Sequence, residues 1–313
     1  MARVARFKIS GAEAWYHVHS HICGWRGEFL LSEKAVTRRL IGLIEHYSSI
    51  YFCEVAAFCV MGNHYHLVVR FDAPRPVRRE ELETRARAMY PGKRYAVATA
   101  GWTDDDWEHY RKRLFDLSEL MRNLQAGFTR WFNDSFDRRG KLWADRFKSV
   151  VLGDMQAVLD CMLYVDLNPV RAGLVERPEE WPGSSIHLRE IGNGGWLMPM
   201  EELLTAANRR GALGEYRQRL YYRGAVRSKG GQAAISQEVL EAEAARGFAQ
   251  RGMFLKRLRY FADGVAVGTE EYIRAQIGRL REEGRYKRRK NPIPQLGGIH
   301  MSLREQRSHA KTF

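Results

Sequence analysis

Cysteine is scarce in this chain. Its four cysteines (Cys23, Cys53, Cys59 and Cys161) are scattered and none forms a CxxC pair. That spacing argues against a disulfide scaffold or a thiolate zinc site. It fits a reducing cytoplasm, with the thiols acting as small apolar residues. Long hydrophobic runs are also missing: no window holds roughly 18 uninterrupted apolar residues, and the mean hydropathy is −0.46. No membrane span is therefore expected. The opening stretch, MARVARFKISGAEAWYHVHS, has neither the apolar core nor the small-residue cleavage site of a signal peptide. No internal repeat of solenoid length is visible. Acidic residues are in deficit as well. Against 51 Lys and Arg stand 37 Asp and Glu, for a formal net charge of +14. Such an excess favours a polyanionic partner, nucleic acid or an anionic membrane surface.

What is present is a folding composition, 45% apolar and 12% aromatic over 313 residues, enough for one sizeable core or two. Residues 14–22, AWYHVHSHI, alternate as a half-buried strand does. A helix follows over Glu33 to Tyr47, with Val36, Leu40, Leu43 and Ile44 at helical spacing. SIYFCEVAAFCVMGNHYHLVVRF then reads as two β-rich runs joined by a turn at Met61–Asn63. Strand, helix, strand, turn, strand is the first half of a split β-α-β-β-α-β layout. Residues 73–112, charged and holding Pro74, Pro76 and Pro91, read as an insertion with a short helix. An amphipathic helix is expected from Tyr110 to Phe132, then a basic loop running into the strand FKSVVL. Helical MQAVLDCMLYVDL follows, with Asp154 as N-cap and Gly173 as stop. WPGSS, Trp181 to Ser185, is a loop. Beyond about Asn193, helices over Met200–Asn208 and Ser236–Gln250 flank a glycine-rich linker, RSKGGQAA.

Chemistry gathers at His64-Tyr65-His66. Side chains at i and i+2 of a strand share a face, so both imidazoles project together, where they can share a divalent cation. Tyr164 and Asn168 lie four residues apart on the helix before Pro169 and so share a face too. An amide oxygen suits a hard cation as a third ligand, and a phenol beside that cation is a candidate nucleophile. The plainer readings stand beside these. Tyr164 reads equally as a core tyrosine with a hydrogen-bonded hydroxyl, and Asn168 as a helix-end residue before Pro169.

GNHYHLVV, GKLWADRFKSVVL, LYVDLNPVRAGLV and WPGSS, in that order, resemble the successive blocks of the REP-associated tyrosine transposases. These are relatives of the single-tyrosine insertion-sequence transposases in the HUH endonuclease superfamily. The resemblance spans roughly residues 10–190. It implies an α+β fold, a ferredoxin-like antiparallel sheet flanked by helices. It implies further that His64 and His66 are the HUH pair binding Mg²⁺ or Mn²⁺, that Tyr164 is the nucleophile, and that Asn168 stands where relatives place a third, amide-bearing ligand. The implied activity is cleavage and rejoining of single-stranded or hairpin DNA, with a 5′-phosphotyrosine and a free 3′-hydroxyl, by a monomer or homodimer in the nucleoid-associated cytoplasm. Two departures stand out. Tyr65 fills a position otherwise aliphatic, and Asn168 replaces the glutamine of some relatives.

Arg138, Arg139, Lys141, Trp143, Arg146 and Lys148 interleave cations with an aromatic. The cations suit phosphates and Trp143 suits an unpaired base; the alternative is a solvated loop with Trp143 and Phe147 plugging the core. Arg122, Arg130 and Arg171 are further candidates for the same groove. His17-Val18-His19-Ser20-His21 resembles the string of the histidine-triad nucleotide hydrolases. Ser20 spoils its alternation, however, and it lies at the amino end, so His17 or His19 is expected to be exposed or to support the neighbouring strand. The division expected is a catalytic domain over 1–190, with its insertion at about 73–112, and a mainly helical basic extension over 191–313, a candidate accessory DNA-binding region. From Arg251 onward fifteen Lys and Arg face six Asp and Glu. The run Arg285, Lys287, Arg288, Arg289, Lys290 reads either as a grip on DNA backbone or as a disordered solubilising tail. The segment before it, Phe254 to Leu280, reads as helical, with room for a small DNA-reading module but no spacing that specifies one.

Overall fold

The structure is a computed structural model that describes residues 8–9, 11–24, 29–204, 209–225, 233–245, 266–282, 293–294 and 300–302. Strand β1 (Ala14–His21) leads to helix α1 (Lys34–Ile50), then to β2 (Cys53–Val60) and β3 (His64–Phe71). Helices α2 (Arg79–Met89), α3 (Lys93–Thr99), α4 (Asp104–Leu114) and α5 (Leu117–Ser135) precede β4 (Lys148–Leu152) and α6 (Met155–Asp166). After these come α7 (Asn168–Arg171), α8 (Ser185–Glu190), α9 (Met200–Leu204), α10 (Arg209–Ala225), α11 (Gln237–Ala244), β5 (Ala266–Gly268), α12 (Glu270–Glu282), β6 (Ile293–Pro294) and β7 (His300–Ser302). The protein is therefore a mixed α+β fold, a sheet flanked by helices.

Among the described residues the sheet order is β2-β3-β1-β4-β5-β7-β6. The first four strands pair antiparallel throughout, while β4 and β5 run parallel. The β2–β3 hairpin is tight: the Met61 N–H bonds the His64 carbonyl at 2.8 Å. Gly62 in that turn admits no side chain, because a Cβ there would lie 2.5 Å from the Phe29 ring. The close approach lets the Leu31 N–H reach the Gly62 carbonyl at 2.8 Å and ties the start of α1 to the turn. The free edge of β2 is covered by the WPGSS loop. There Val60 N–H bonds Gly183 O at 2.7 Å and the Trp181 indole N–H bonds Val60 O at 2.8 Å. A capped edge of this kind removes a template for intermolecular pairing.

Each face of the sheet has its own core. On one, Tyr16, Val18, Tyr65, Leu67 and Val69 pack with α1 and α5 residues such as Leu40, Ile44, Met121 and Phe128. On the other, Trp15, Val68, Val150 and Leu152 pack with Val158, Met162 and Val165 of α6 and with Tyr216 and Leu220 of α10. Asp154 caps α6 by accepting from the Ala157 N–H at 2.8 Å, and Gly173 at φ +71° ends the α7 turn, both as expected from the sequence. At the far end of α6, buried Asp166 accepts from Tyr216 Oη at 2.7 Å and from Ser185 Oγ at 2.8 Å. This joint fastens α6 to α8 and α10.

Several expected elements are corrected. The insertion holds three helices rather than one short one. They bury Leu82, Ala86, Trp107 and Tyr110, so its charged sequence conceals an apolar inner side. Arg85 donates to the carbonyls of Ser49, Ile50 and Tyr51, capping the end of α1. The helix expected from Tyr110 to Phe132 is two helices, because Asp116 accepts from the Ser118 and Glu119 N–H groups and starts α5 afresh. Between the two expected extension helices lies α10, which the periodicity missed. Part of the segment expected to be helical, Ala266–Gly268, is strand β5, pairing with Val151 and Leu152 of β4. Residues 205–208, 246–265 and 283–292, including the basic run Arg285 to Lys290, lie outside the described residues.

Candidate active site

Strand alternation and register assemble the site. β1 and β3 pair with His19 opposite His66 and His21 opposite His64. Residues directly opposite in an antiparallel pair share a face, so His17, His19 and His21 project with His64 and His66 toward α6. The amino-terminal string is thus part of the HxH site rather than a separate motif. The expectation of an exposed His17 or His19 does not hold, since both are buried. Sequence reasoning lacked the register that merges the two strings; the signal available was their common period of two.

The cluster is graded in depth. His17 is fully buried, His66 and His19 nearly so, His64 half-buried, and His21 exposed at the sheet's end. His64 and His66 have ring centroids 5.0 Å apart at 88° to one another, while His21 lies 4.7 Å from His64 and within 22° of parallel. His17 Nε2 is 3.0 Å from His66 Nδ1, and His64 Nδ1 is 2.7 Å from Asn63 Oδ1. Burial, with the neighbouring rings His21 and His19 adding to it, pushes His64 down to about 3. Burial, then His17, His64, His19 and His21, holds His66 well below its ordinary value. Both rings are therefore neutral near pH 7 and keep one lone pair each. Tyr65 is fully buried on the opposite face, 5.5 Å from the Trp143 ring, so an aromatic fits this position by packing.

Helix α6 delivers Tyr164 to the same place. Its ring stands edge-on to His66 at 5.5 Å and to His17 at 5.9 Å, and the residue is half-buried. Asn168, one turn on, donates its amide N–H groups to the carbonyls of Tyr164 at 2.9 Å and Val165 at 3.3 Å. Among the described residues no hydrogen bond joins Asn168 to His64 or His66, and no group of three or more His, Cys, Asp or Glu side chains is arranged to hold a metal ion. His21 stacks on His64 and a nitrogen of His17 is spent on His66, so the five imidazoles do not converge on one point. His64 and His66 share one face of β3, with the His19 ring 5.8 Å from that of His66 on the neighbouring strand.

The basic loop divides cleanly. Arg138, Arg139, Lys141, Arg146 and Lys148 are exposed, while Leu142, Trp143 and Phe147 are buried. Trp143 donates its indole N–H to Gln125 O at 3.1 Å and packs 5.7 Å from Phe128. It is a core residue and is not presented to a nucleobase, which corrects the stacking role read from its basic neighbours. Lys148 pairs with His19 across β1 and β4, and its charge helps burial to lower His21; of the loop cations it reaches the histidines. Arg171 donates to the Arg223 carbonyl at 2.7 Å and the Ala233 carbonyl at 3.4 Å. These bonds tie α7 to α10 and to the segment after it, so the Arg171 guanidinium is engaged within the fold. Arg122 pairs with Glu119.

No protein-family model matches this chain, and no curated protein matches it. Among solved structures it is similar to one described as the REP-associated tyrosine transposase bound to a REP hairpin. The identity is 18%, over 62% of this chain and 87% of that one, with a TM-score of 0.41. No helix of the described residues is long and apolar enough to cross a membrane.

Proposed function

We propose that this protein is a metal-dependent tyrosine endonuclease and strand transferase of the REP-associated, HUH type. It would cleave and rejoin single-stranded or hairpin DNA through a 5′-phosphotyrosine intermediate. The observation that carries this reading is the approach of a phenol to a neutral histidine pair, Tyr164 lying 5.5 Å from His66 and His66 5.0 Å from His64. In this reading the Tyr164 oxygen attacks the scissile phosphorus as it gives up its proton. The bond from phosphorus to the 3′ oxygen breaks, and that oxygen leaves as a free hydroxyl. The phosphotyrosine retains the bond energy, so attack by another 3′-hydroxyl reverses the step without ATP.

Mg²⁺ or Mn²⁺ would be held by His64 and His66, with the Asn168 oxygen as third ligand. Two imidazole nitrogens favour Mn²⁺ over Mg²⁺, which takes oxygen ligands. When bound, the ion would stabilise the anionic phosphate oxygens and orient the scissile bond. Exposed Arg138, Arg139, Lys141, Arg146 and Lys148 would hold the strand by its phosphates. Because phenol and histidines belong to one chain, a monomer suffices. Residues 1–190 are read as the ferredoxin-like catalytic part and 191–313 as an accessory region for DNA that shares its sheet and core through β5 and α10.

The test is a covalent adduct between the protein and a single-stranded hairpin oligonucleotide on a denaturing gel. The adduct is expected with Mn²⁺, and is expected to vanish with chelator and in Tyr164→Phe. If the oligonucleotide binds and no adduct ever forms, the protein is a DNA-binding descendant of such an enzyme.

A further inference from the structure

Each of the two candidate ligand histidines has its Nδ1 engaged by a partner from a different part of the site. His64 Nδ1 lies 2.7 Å from Asn63 Oδ1, and His66 Nδ1 lies 3.0 Å from His17 Nε2. A neutral imidazole has one N–H and one lone pair, and the partner at one nitrogen decides which atom keeps the proton. An amide oxygen only accepts, so the ring facing Asn63 must carry its proton on Nδ1. The His17–His66 contact is likewise directional. The rings lie within 13° of parallel with centroids 5.1 Å apart. With nitrogens 3.0 Å apart, that is the arrangement of nearly coplanar rings joined edge to edge by an in-plane bond.

We propose that Asn63 and His17 are positioning residues that lock His64 and His66 in their Nδ1–H tautomers, so that both turn an Nε2 lone pair to the site. In His66 the Nδ1–H donates and His17 Nε2 accepts. The inference deepens the metal-dependent reading above and rests on it for its purpose, although the tautomers themselves are a property of the protein alone. It gives the amino-terminal histidine string a role, since His17 directs His66 from the adjacent strand. It also explains why an asparagine in the hairpin turn directly precedes the first histidine. Partners of this kind hold ligand rings in orientation, and their loss typically weakens metal binding about 10- to 100-fold.

The test uses the full chain with ¹⁵N-labelled histidine. In the metal-free protein, long-range ¹H–¹⁵N spectra are expected to show protonated Nδ1 and unprotonated Nε2 for both His64 and His66. Asn63→Ala is expected to release His64 to a mixture of tautomers, whereas Asn63→Asp, which keeps an acceptor, restores the single form. By calorimetry, Asn63→Ala and His17→Ala are each expected to lose about 10- to 100-fold in Mn²⁺ affinity, and Asn63→Asp and His17→Gln to lose less. A wild-type spectrum with the proton on Nε2 of either ring overturns the proposal, as does unchanged Mn²⁺ affinity in both alanine variants. If the wild type binds no Mn²⁺, it is the metal reading that fails, and the tautomer spectra alone then decide the proposal.

Discussion

Single side chains of the basic loop divide between those exposed to solvent and those that face the core, and Trp143 is the instructive case. Its neighbours in sequence are cationic, yet its indole is buried and bonded to Gln125 O. Trp143→Phe is expected to cost about 1–3 kcal/mol in urea unfolding while leaving single-strand affinity unchanged in an anisotropy titration. A weakened affinity at unaltered stability would return it to a stacking role. Asp116 offers a second check. Burial alone would raise its carboxyl, but the Lys8 ammonium and the Ser118 and Glu119 N–H groups outweigh this and hold it below the ordinary value. A depressed acid stabilises the fold above its unfolded pKa of about 3.9 and loses that contribution as pH falls through the folded value. Asp116→Ala is therefore expected to cost about 1 kcal/mol near pH 7, with the gap to wild type closing below about pH 4. A gap that persists at low pH contradicts the assignment.

Between elements, the joint that matters most for the site is the one holding α6. Asp166 sits two residues past Tyr164 and is pushed up to about 6 by burial, against the opposing hydrogen bonds from Tyr216, Ser185 and Ile186 N–H. Tyr216→Phe removes a donor from a buried carboxyl group, expected to cost about 1–3 kcal/mol and to speed amide exchange across Met155–Asp166. Exchange unchanged there would mean that α10 does not brace the helix. Helix α10 itself was hidden from periodicity analysis. Its sequence, RRGALGEYRQRLYYRGA, carries three glycines and five arginines, and its inward residues Ala212, Tyr216 and Leu220 are only a narrow stripe. The Phe115–Asp116 break escaped for the opposite reason, since apolar spacing continues across it. The signal that marks the break is Asp116 itself, a residue type suited to an N-cap. By contrast β1, α1, the β2–β3 turn and α6 were legible, because each combines a clean period with a terminating signal.

At the scale of the whole molecule, the sheet has a chemical end and a structural end. His21, His64 and Lys148 cluster at one. At the other, Phe71 pairs with Ala14 and Cys53, and Leu152 pairs with Val267 of strand β5. On the proposed function, a polyanion drawn by the net charge of +14 would meet the exposed cations of the basic loop. Log affinity for single strands should fall linearly with log salt, and replacing Arg138 and Arg139 by alanine should flatten the slope by about 0.7 for each phosphate no longer neutralised. An unaltered slope would remove that loop from the interface.

By itself the sequence determined which residues share a face. Period two sets His64 with His66, and a spacing of four sets Tyr164 with Asn168, because both follow from local backbone geometry. Only the tertiary structure decided the pairing of His19 with His66 and His21 with His64, which turns two separate strings into one five-ring cluster. It also decided that Tyr164 faces that cluster and that Trp143 does not face solvent. Strand register and helix docking are set by contacts between residues far apart in the chain, and no local period encodes them.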